Sequence, residues 1–120
     1  MEKKLELSLL LEFYGKILSE RQRELIEYYC NDDLSLAEIS ELTGITRQGA
    51  RDGIKKAELI LEDCEVKLGM YKAYSDREKA LEKLLSLAER LAGKYSFGSD
   101  PGYTELVNTA RALAGQDEDI

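Results

Sequence analysis

The 120-residue chain has no histidine, no tryptophan, one proline and two cysteines. Because histidine is the usual catalytic base near neutral pH, its absence argues against many hydrolase and metal-enzyme schemes. No glycine-rich phosphate loop is present either. Cys30 and Cys64 lack the paired spacing of a zinc site, which favours buried, reduced thiols. We therefore expect a protein that is not an enzyme and that holds no metal or cofactor.

Long apolar runs are also missing from the sequence. No run approaches the ~20 residues that a membrane-spanning helix requires. The N-terminal stretch MEKKLELSLLLEFYGK carries Glu6 within its apolar part and has no small-residue cleavage site. These features predict a cytoplasmic protein that makes no membrane contact.

The residues that are present favour helices. Hydrophobic residues make up 43% of the chain and charged residues 34%, and helix breakers are sparse. We predict an all-α fold of five to six helices. The length favours a single domain over residues 1–120, with a helix-turn-helix unit over 16–68 and C-terminal helices over 69–115.

Capping signals and apolar spacing divide the first third of the chain into helices. Ser19 and Ser35 each precede a helical pattern, which predicts helices over 20–31 and 36–43 after a first helix over 5–14. The residues expected to face inward on these helices are Leu5, Leu9, Leu10, Phe13, Tyr14, Leu25, Ile26, Tyr29, Ile39 and Leu42.

The stretch LSLAEISELTGITRQGARDGIKKAE, residues 34–58, is typical of a helix-turn-helix, with Gly44 in the turn and Thr46 as the next N-cap. An apolar seam then continues at alternating steps of four and three, which predicts a helix of about 25 residues. The seam needs a partner, either the C-terminal helices or a second copy in a homodimer. Its members are Ala50, Ile54, Ala57, Leu61, Cys64, Leu68 and Tyr71.

Two further helices are predicted after the seam. Ser75 and Glu78 form another capping-box pattern, so a fifth helix is expected over 76–92 with Gly93 as its C-terminal cap. Pro101 then begins a last helix, and the acidic tail GQDEDI is expected to fray. The inward residues predicted for these helices are Leu81, Leu84, Leu85, Ala88, Leu91, Tyr103, Leu106, Val107, Ala110 and Leu113.

The predicted recognition helix begins with an excess of positive charge, in a chain whose net charge is -7. Its first three cations are spaced i, i+4 and i+8 and therefore share one helix face. In a helix-turn-helix this part of the second helix meets base edges, where Arg pairs with guanine and Gln with adenine, while later lysines contact phosphate. The candidate nucleic-acid-binding residues are Thr46, Arg47, Gln48, Arg51, Lys55 and Lys56.

The same cluster has a second interpretation, as a solvated helix face balanced by Glu38, Glu41 and Asp52. Four phosphate contacts would give a salt slope of only about -3.6, so that a single copy binds weakly. Gly49 and Gly53 each cost roughly 1 kcal/mol in a helix interior. They permit either the close approach of another group or local flexibility.

Residues 13–71 resemble a known family. The matching segments are FYG from Phe13, LSERQ from Leu18, LSLAEIS from Leu34, and TRQ from Thr46 followed by IKKAE from Ile54. Together they resemble the YlxM-like proteins of Gram-positive bacteria and mollicutes, whose helix-turn-helix is similar to region 4 of sigma factors.

This resemblance implies a regulatory or accessory part in the signal recognition particle pathway, because members are typically encoded beside the genes for the particle's GTPase and its receptor. The implied nucleic-acid ligand is DNA or the particle's RNA, bound through the recognition helix. The alternative is a protein-interaction module that docks the GTPase or its receptor without contacting nucleic acid.

Overall fold

The computed structural model describes residues 3–114, and these residues form six α-helices and no strand. The all-α prediction is confirmed. Backbone contacts divide the chain into unit 1, residues 1–72, and unit 2, residues 73–120, and each is described by itself. The helices are α1 (Lys3–Tyr14), α2 (Glu20–Cys30), α3 (Leu36–Thr43), α4 (Arg47–Leu68), α5 (Met70–Tyr95) and α6 (Pro101–Ala114), with a 3-10 turn at Gly15–Ile17.

The predicted N-caps of unit 1 are confirmed. Ser19 and Ser35 each accept a hydrogen bond from the backbone N–H three residues later, and the side chain at that later position accepts from the cap's own N–H. Thr46 caps α4 through its hydroxyl oxygen. Gly44 has a φ of 76°, a conformation that glycine adopts without strain, and so it supplies the sharp turn between α3 and α4.

The apolar seam of α4 is buried inside unit 1. Ala57 and Leu61 lie in one cluster with residues of α1 and α2, and Ala50 and Ile54 lie in a second cluster with Leu25 and Ile39. The partner of the seam is therefore the N-terminal part of the same unit. The prediction from the sequence was instead that the C-terminal helices or a second copy would pack against the seam.

Three inward predictions for unit 1 are wrong. Leu5, Leu42 and Leu68 are all more than half exposed. On α1 the buried face is Leu7, Leu10, Leu11 and Tyr14. Leucines occupy both possible stripes of this helix, so helical spacing alone could not identify the buried one.

The boundary between α4 and α5 also differs from the prediction. Gly69 has a φ of 61° and ends α4 after 22 residues, and α5 begins at once at Met70. Ser75 therefore lies inside a helix and is not a cap. The first N–H groups of α5 are instead satisfied by side chains distant in sequence, since Tyr14 and Glu65 accept hydrogen bonds from this end of the helix.

Unit 2 is a pair of helices joined by a short loop. The helix α5 continues past Gly93 to Tyr95, so Gly93 is not its C-terminal cap, and Ser96 follows with a φ of 57°. Pro101 begins α6 as predicted, and Asp100 accepts a hydrogen bond from the N–H of Gly102 at 2.7 Å. The predicted inward residues Leu84, Leu91, Leu106 and Leu113 are exposed. The tail, residues 115–120, lies outside the described residues.

No helix between residues 3 and 114 is both long enough and apolar enough to span a bilayer. The same part of the chain contains no cluster of side chains suited to a metal ion. Cys30 and Cys64 are free and half-buried, and burial raises the pKa of the Cys30 thiol to about 11.

Candidate nucleic-acid interface

The six candidate residues lie at the start of α4, where the helix leaves the turn. Thr46 is the N-cap, and the other five occupy the first ten residues of one uninterrupted helix. All six are exposed. Because α4 is continuous, Arg47, Arg51 and Lys55 share one face, and Lys56 lies further round the helix.

The four cations at the start of α4 form no ion pair with another residue in the range 3–114. Elsewhere in unit 1, Lys3, Lys4 and Lys67 each pair with a carboxylate at 3.3 Å or less, whereas Lys16 forms no such pair within residues 3–114. The charges of Arg47, Arg51, Lys55 and Lys56 are thus available to an external anion. The partial positive charge at the N-terminus of α4 adds to this local potential.

The polar members of the face are held by local hydrogen bonds. The Thr46 hydroxyl oxygen accepts from the N–H of Gly49 at 3.0 Å, which fixes the start of α4. The side-chain amide of Gln48 donates to Asp52 at 3.0 Å, one turn later. The structure therefore assigns Thr46 a capping role and partners Gln48 with a carboxylate on its own helix.

Glu38, Glu41 and Asp52 are the carboxylates that could balance these cations, and all three are exposed. None of them pairs with any of the four cations. Glu38 accepts a hydrogen bond from the N–H of Ser35 at 3.0 Å, and this bond lowers the pKa of its carboxyl group. Asp52 accepts from Gln48. Glu41 lies on the exposed side of α3.

A small cleft borders the later part of the cationic face. It has a volume of about 230 Å³, and Arg51 and Lys55 line it together with Tyr29, Leu36 and Glu58. Glu58 also lies 3.3 Å from the ammonium group of Lys3, which offsets part of its charge.

One of the two glycines in α4 has a packing role that sequence analysis left open. A Cβ atom at Gly53 would lie 2.5 Å from Cδ1 of Leu25, a buried residue of α2. A Cβ at Gly49 would meet only its own N-cap, at 3.1 Å from the hydroxyl of Thr46. Gly53 thus permits the close approach of α2 and α4, which supports the face from behind.

Sequence analysis missed the group of residues that begins α5. The Tyr14 hydroxyl donates to Glu65 at 2.7 Å and accepts from the N–H of Met70 at 3.0 Å. The carboxylate of Glu65 also accepts from the N–H groups of Tyr71 and Lys72, each at 3.1 Å. A glycine at position 69 followed by a helical pattern was the available signal, because it marks a helix end and a new beginning.

Comparison with known proteins identifies similar chains. A family model, UPF0122, described as "Putative helix-turn-helix protein, YlxM / p13 like", matches residues 1–95. A UPF0122 protein of Streptococcus gordonii is 46% identical over 84 residues, which cover 70% of this chain and 76% of the relative. A UPF0122 protein of Streptococcus pneumoniae is 45% identical over 85 residues, covering 71% of this chain and 77% of the relative.

Proposed function

Since the chain belongs to the YlxM/p13-like family of helix-turn-helix proteins, we propose that it is a non-enzymatic accessory protein that binds nucleic acid through the start of α4. The residues that carry this role are Thr46, Arg47, Gln48, Arg51, Lys55 and Lys56. The arginines and Gln48 face base edges, and the lysines contact phosphate.

The observation that carries this proposal is the set of four exposed cations without an ion pair in the described part of the chain. An ion pair along the helix, such as that of Lys67 with Asp63 at 3.0 Å, would neutralise part of this charge, and none does so here within residues 3–114. The start of α4 is also held in place, because Ala50 and Ile54, which lie beside the arginines on the same helix, are buried against α2 and α3. A fixed helix with an unpaired cationic face suits docking in a groove of nucleic acid.

The proposal extends to the signal recognition particle pathway through the likeness of residues 13–71 to YlxM-like proteins. The nucleic acid is then promoter DNA or the RNA of the particle, and the protein acts in the cytoplasm. Four cations support only weak binding by one copy, since four phosphate contacts correspond to a salt slope of about -3.6 on duplex DNA.

A titration tests the proposal directly. Labelled duplex DNA and labelled signal recognition particle RNA are each titrated with the full chain at two salt concentrations, and anisotropy is recorded. We expect binding at low salt that weakens at high salt, and at least about tenfold weaker binding by the R47A/R51A variant. Absence of binding to both ligands at low salt would refute the proposal.

The matched control removes two arginines from another exposed helix of the same unit. Arg21 and Arg23 pair with Glu24 and Glu27 on α2, so R21A/R23A changes the net charge by the same amount. We expect this variant to bind much more tightly than R47A/R51A. Equal losses in the two variants would mean that net charge, and not the α4 face, governs binding.

A protein partner is the second candidate, and the net charge of -7 favours it because an acidic protein is repelled by phosphate at long range. In this case α4 docks the signal recognition particle GTPase or its receptor. A pull-down with each purified protein, free of nucleic acid, distinguishes the two candidates. Retention that depends on Arg47 and Arg51, without binding to DNA or RNA, would favour the protein partner.

A further inference from the structure

Unit 2 carries an apolar groove that its two helices leave open. Leu84, Ala88 and Leu91 of α5 line one wall, Leu106 and Ala110 of α6 line the other, and Phe97 and Tyr103 close the end near the loop. The groove has a volume of about 390 Å³. Its lining is almost wholly hydrocarbon, so water inside it finds few hydrogen-bond partners.

The spacing of the lining residues indicates which kind of structure would pack into the groove. Leu84 and Leu91 are seven residues apart on α5, and Tyr103 and Ala110 are seven apart on α6. A repeat of seven keeps an apolar stripe along a helix that packs against other helices at a shallow angle. The groove is therefore shaped to receive helices, as in a four-helix bundle.

The exposed apolar surface of unit 2 is large for so short a segment. Six half-exposed side chains of roughly 200 Å² each offer about 600 Å² of apolar surface per copy. Two such surfaces together would bury about 1,200 Å², the lower bound of stable protein–protein interfaces. Of the six side chains, Leu84, Leu91, Phe97 and Leu106 line the groove, and Tyr95 and Leu113 lie outside its lining, so about 1,200 Å² is the most that the two surfaces would bury.

The charges around the groove suit a second copy of the chain. The helix pair, residues 73–114, contains six acidic and six basic side chains, a net charge of zero, and residues 115–120 add three acidic ones, whereas residues 1–72 contain 15 acidic and 11 basic side chains. Both signs alternate along α5, and Glu89 pairs with Arg111 across the two helices at 3.1 Å. Two identical helix pairs with mixed charge meet without net repulsion, and a two-fold axis brings the same patch of each copy together.

From these observations we propose that unit 2 is the dimerisation element, and that the apolar groove between α5 and α6 packs against the same groove of a second copy to form a four-helix bundle. This inference deepens the proposed function and partly rests on it, because two recognition helices would double the phosphate contacts of a weak single copy. The dimer itself does not require that nucleic acid binds.

The test measures mass in solution without nucleic acid. Light scattering coupled to size exclusion, over a range of concentrations, should show wild-type protein at twice the 13.6 kDa of one chain. Leu84 and Leu106 are each 58% exposed, so glutamate at both positions remains hydrated within a folded single chain. We expect the L84E/L106E variant to have the mass of one chain and to keep its helical circular dichroism.

The control places glutamate at two equally exposed apolar positions of unit 1. Leu5 is 54% and Ile17 58% exposed, and we expect the L5E/I17E variant to stay dimeric. Wild-type protein that remains a single chain at all concentrations would overturn the proposal. A dimer that survives L84E/L106E, or that dissociates equally in L5E/I17E, would also overturn it.

A milder variant covers the case in which L84E/L106E loses its helical signal. L84A/L106A keeps helix-forming residues at both positions and removes the two most exposed leucines of the groove. We expect its dimer dissociation constant to rise at least about tenfold relative to wild type. An unchanged constant would overturn the proposal. Failure of the DNA and RNA titrations, with these masses as expected, would refute only the proposed function.

Discussion

The two units of this chain bury their apolar residues to different extents. In unit 1 the helices α1 to α3 surround one side of α4, and buried residues of all four helices form two adjoining clusters. Over residues 73–114 of unit 2 only Leu81, Ala92 and Val107 are buried, and half of the large apolar side chains are exposed. A helix covered by several others has a fixed position, whereas two helices alone cannot cover their own apolar faces.

Under the two proposals above, this difference assigns one task to each unit. Unit 1 holds the start of α4 in one orientation, as a surface that reads another molecule must be held. Unit 2 presents an apolar groove, a feature that usually marks an interaction site when it is large and contiguous. Substitutions in the two units should therefore have different effects on stability and binding.

Truncation of a buried leucine should affect unit 1 most. Leu61 is fully buried between α1 and α2, and L61A should lower the free energy of unfolding by about 3 kcal/mol because the surrounding helices cannot collapse into the cavity. The matched change in unit 2 is L81A, which should cost about 1 kcal/mol because its surroundings are less confined. Urea unfolding followed by circular dichroism measures both, and equal costs would remove the distinction between the units.

Loss of the Glu65 carboxylate should have the next largest effect. It accepts hydrogen bonds from Tyr14, Tyr71 and Lys72, so E65A leaves these donors without their partner and should cost about 2 kcal/mol. The control is D63A, on the exposed side of α4, which removes only a surface pair with Lys67 and should cost about 0.5 kcal/mol or less. A cost for E65A no greater than for D63A would show that the start of α5 does not depend on this carboxylate.

The two glycines of α4 should respond in opposite directions. G53A places a methyl group against the buried Leu25 and should lower stability by about 1 kcal/mol, after allowance for the better helix propensity of alanine. G49A meets only the Thr46 hydroxyl and should leave stability unchanged or raise it by up to about 1 kcal/mol. Thermal unfolding of both variants checks this, and a G53A protein as stable as G49A would contradict the close packing of α2 and α4.

Acid should weaken unit 1 through its capping box, with the smallest effect of the series. The hydrogen bond from Ser35 lowers the pKa of Glu38 from its ordinary value of 4.5, so the stabilisation is present above that value and is lost as the pH falls through the lowered pKa. E38Q keeps an oxygen acceptor but does not titrate. Wild type should therefore lose more stability than E38Q between about pH 5 and pH 3, and parallel pH profiles would exclude a contribution from Glu38.

Local signals in the sequence were sufficient to predict most of unit 1. The caps at Ser19, Ser35 and Thr46 depend on residues within three positions, so their geometry follows from nearby sequence. The seam of α4 was recognised for the same reason. The helices that cover this seam could not be predicted, because a helical period shows that a face is buried and does not show what buries it.

The errors arose where distant residues decide the structure. The start of α5 depends on Tyr14, 56 positions before Met70, and a local capping pattern at Ser75 was mistaken for it. Leucines of α5 and α6 were predicted to face inward because they follow a helical period, but unit 2 provides no layer to cover them. At the candidate site, the cationic residues could be predicted from the sequence. That none of the four cations forms an ion pair within residues 3–114 could be seen only in the structure.

The salt dependence of binding tests the central claim, that the start of α4 binds nucleic acid, most directly. The logarithm of the binding constant is plotted against the logarithm of salt concentration for wild type, R47A/R51A and R21A/R23A on the same ligand. Loss of two of the four cations that lie against the nucleic acid should about halve the slope, from about -3.6 to about -1.8 for one copy on duplex DNA, while R21A/R23A keeps the wild-type slope. Identical slopes for wild type and R47A/R51A would contradict the claim.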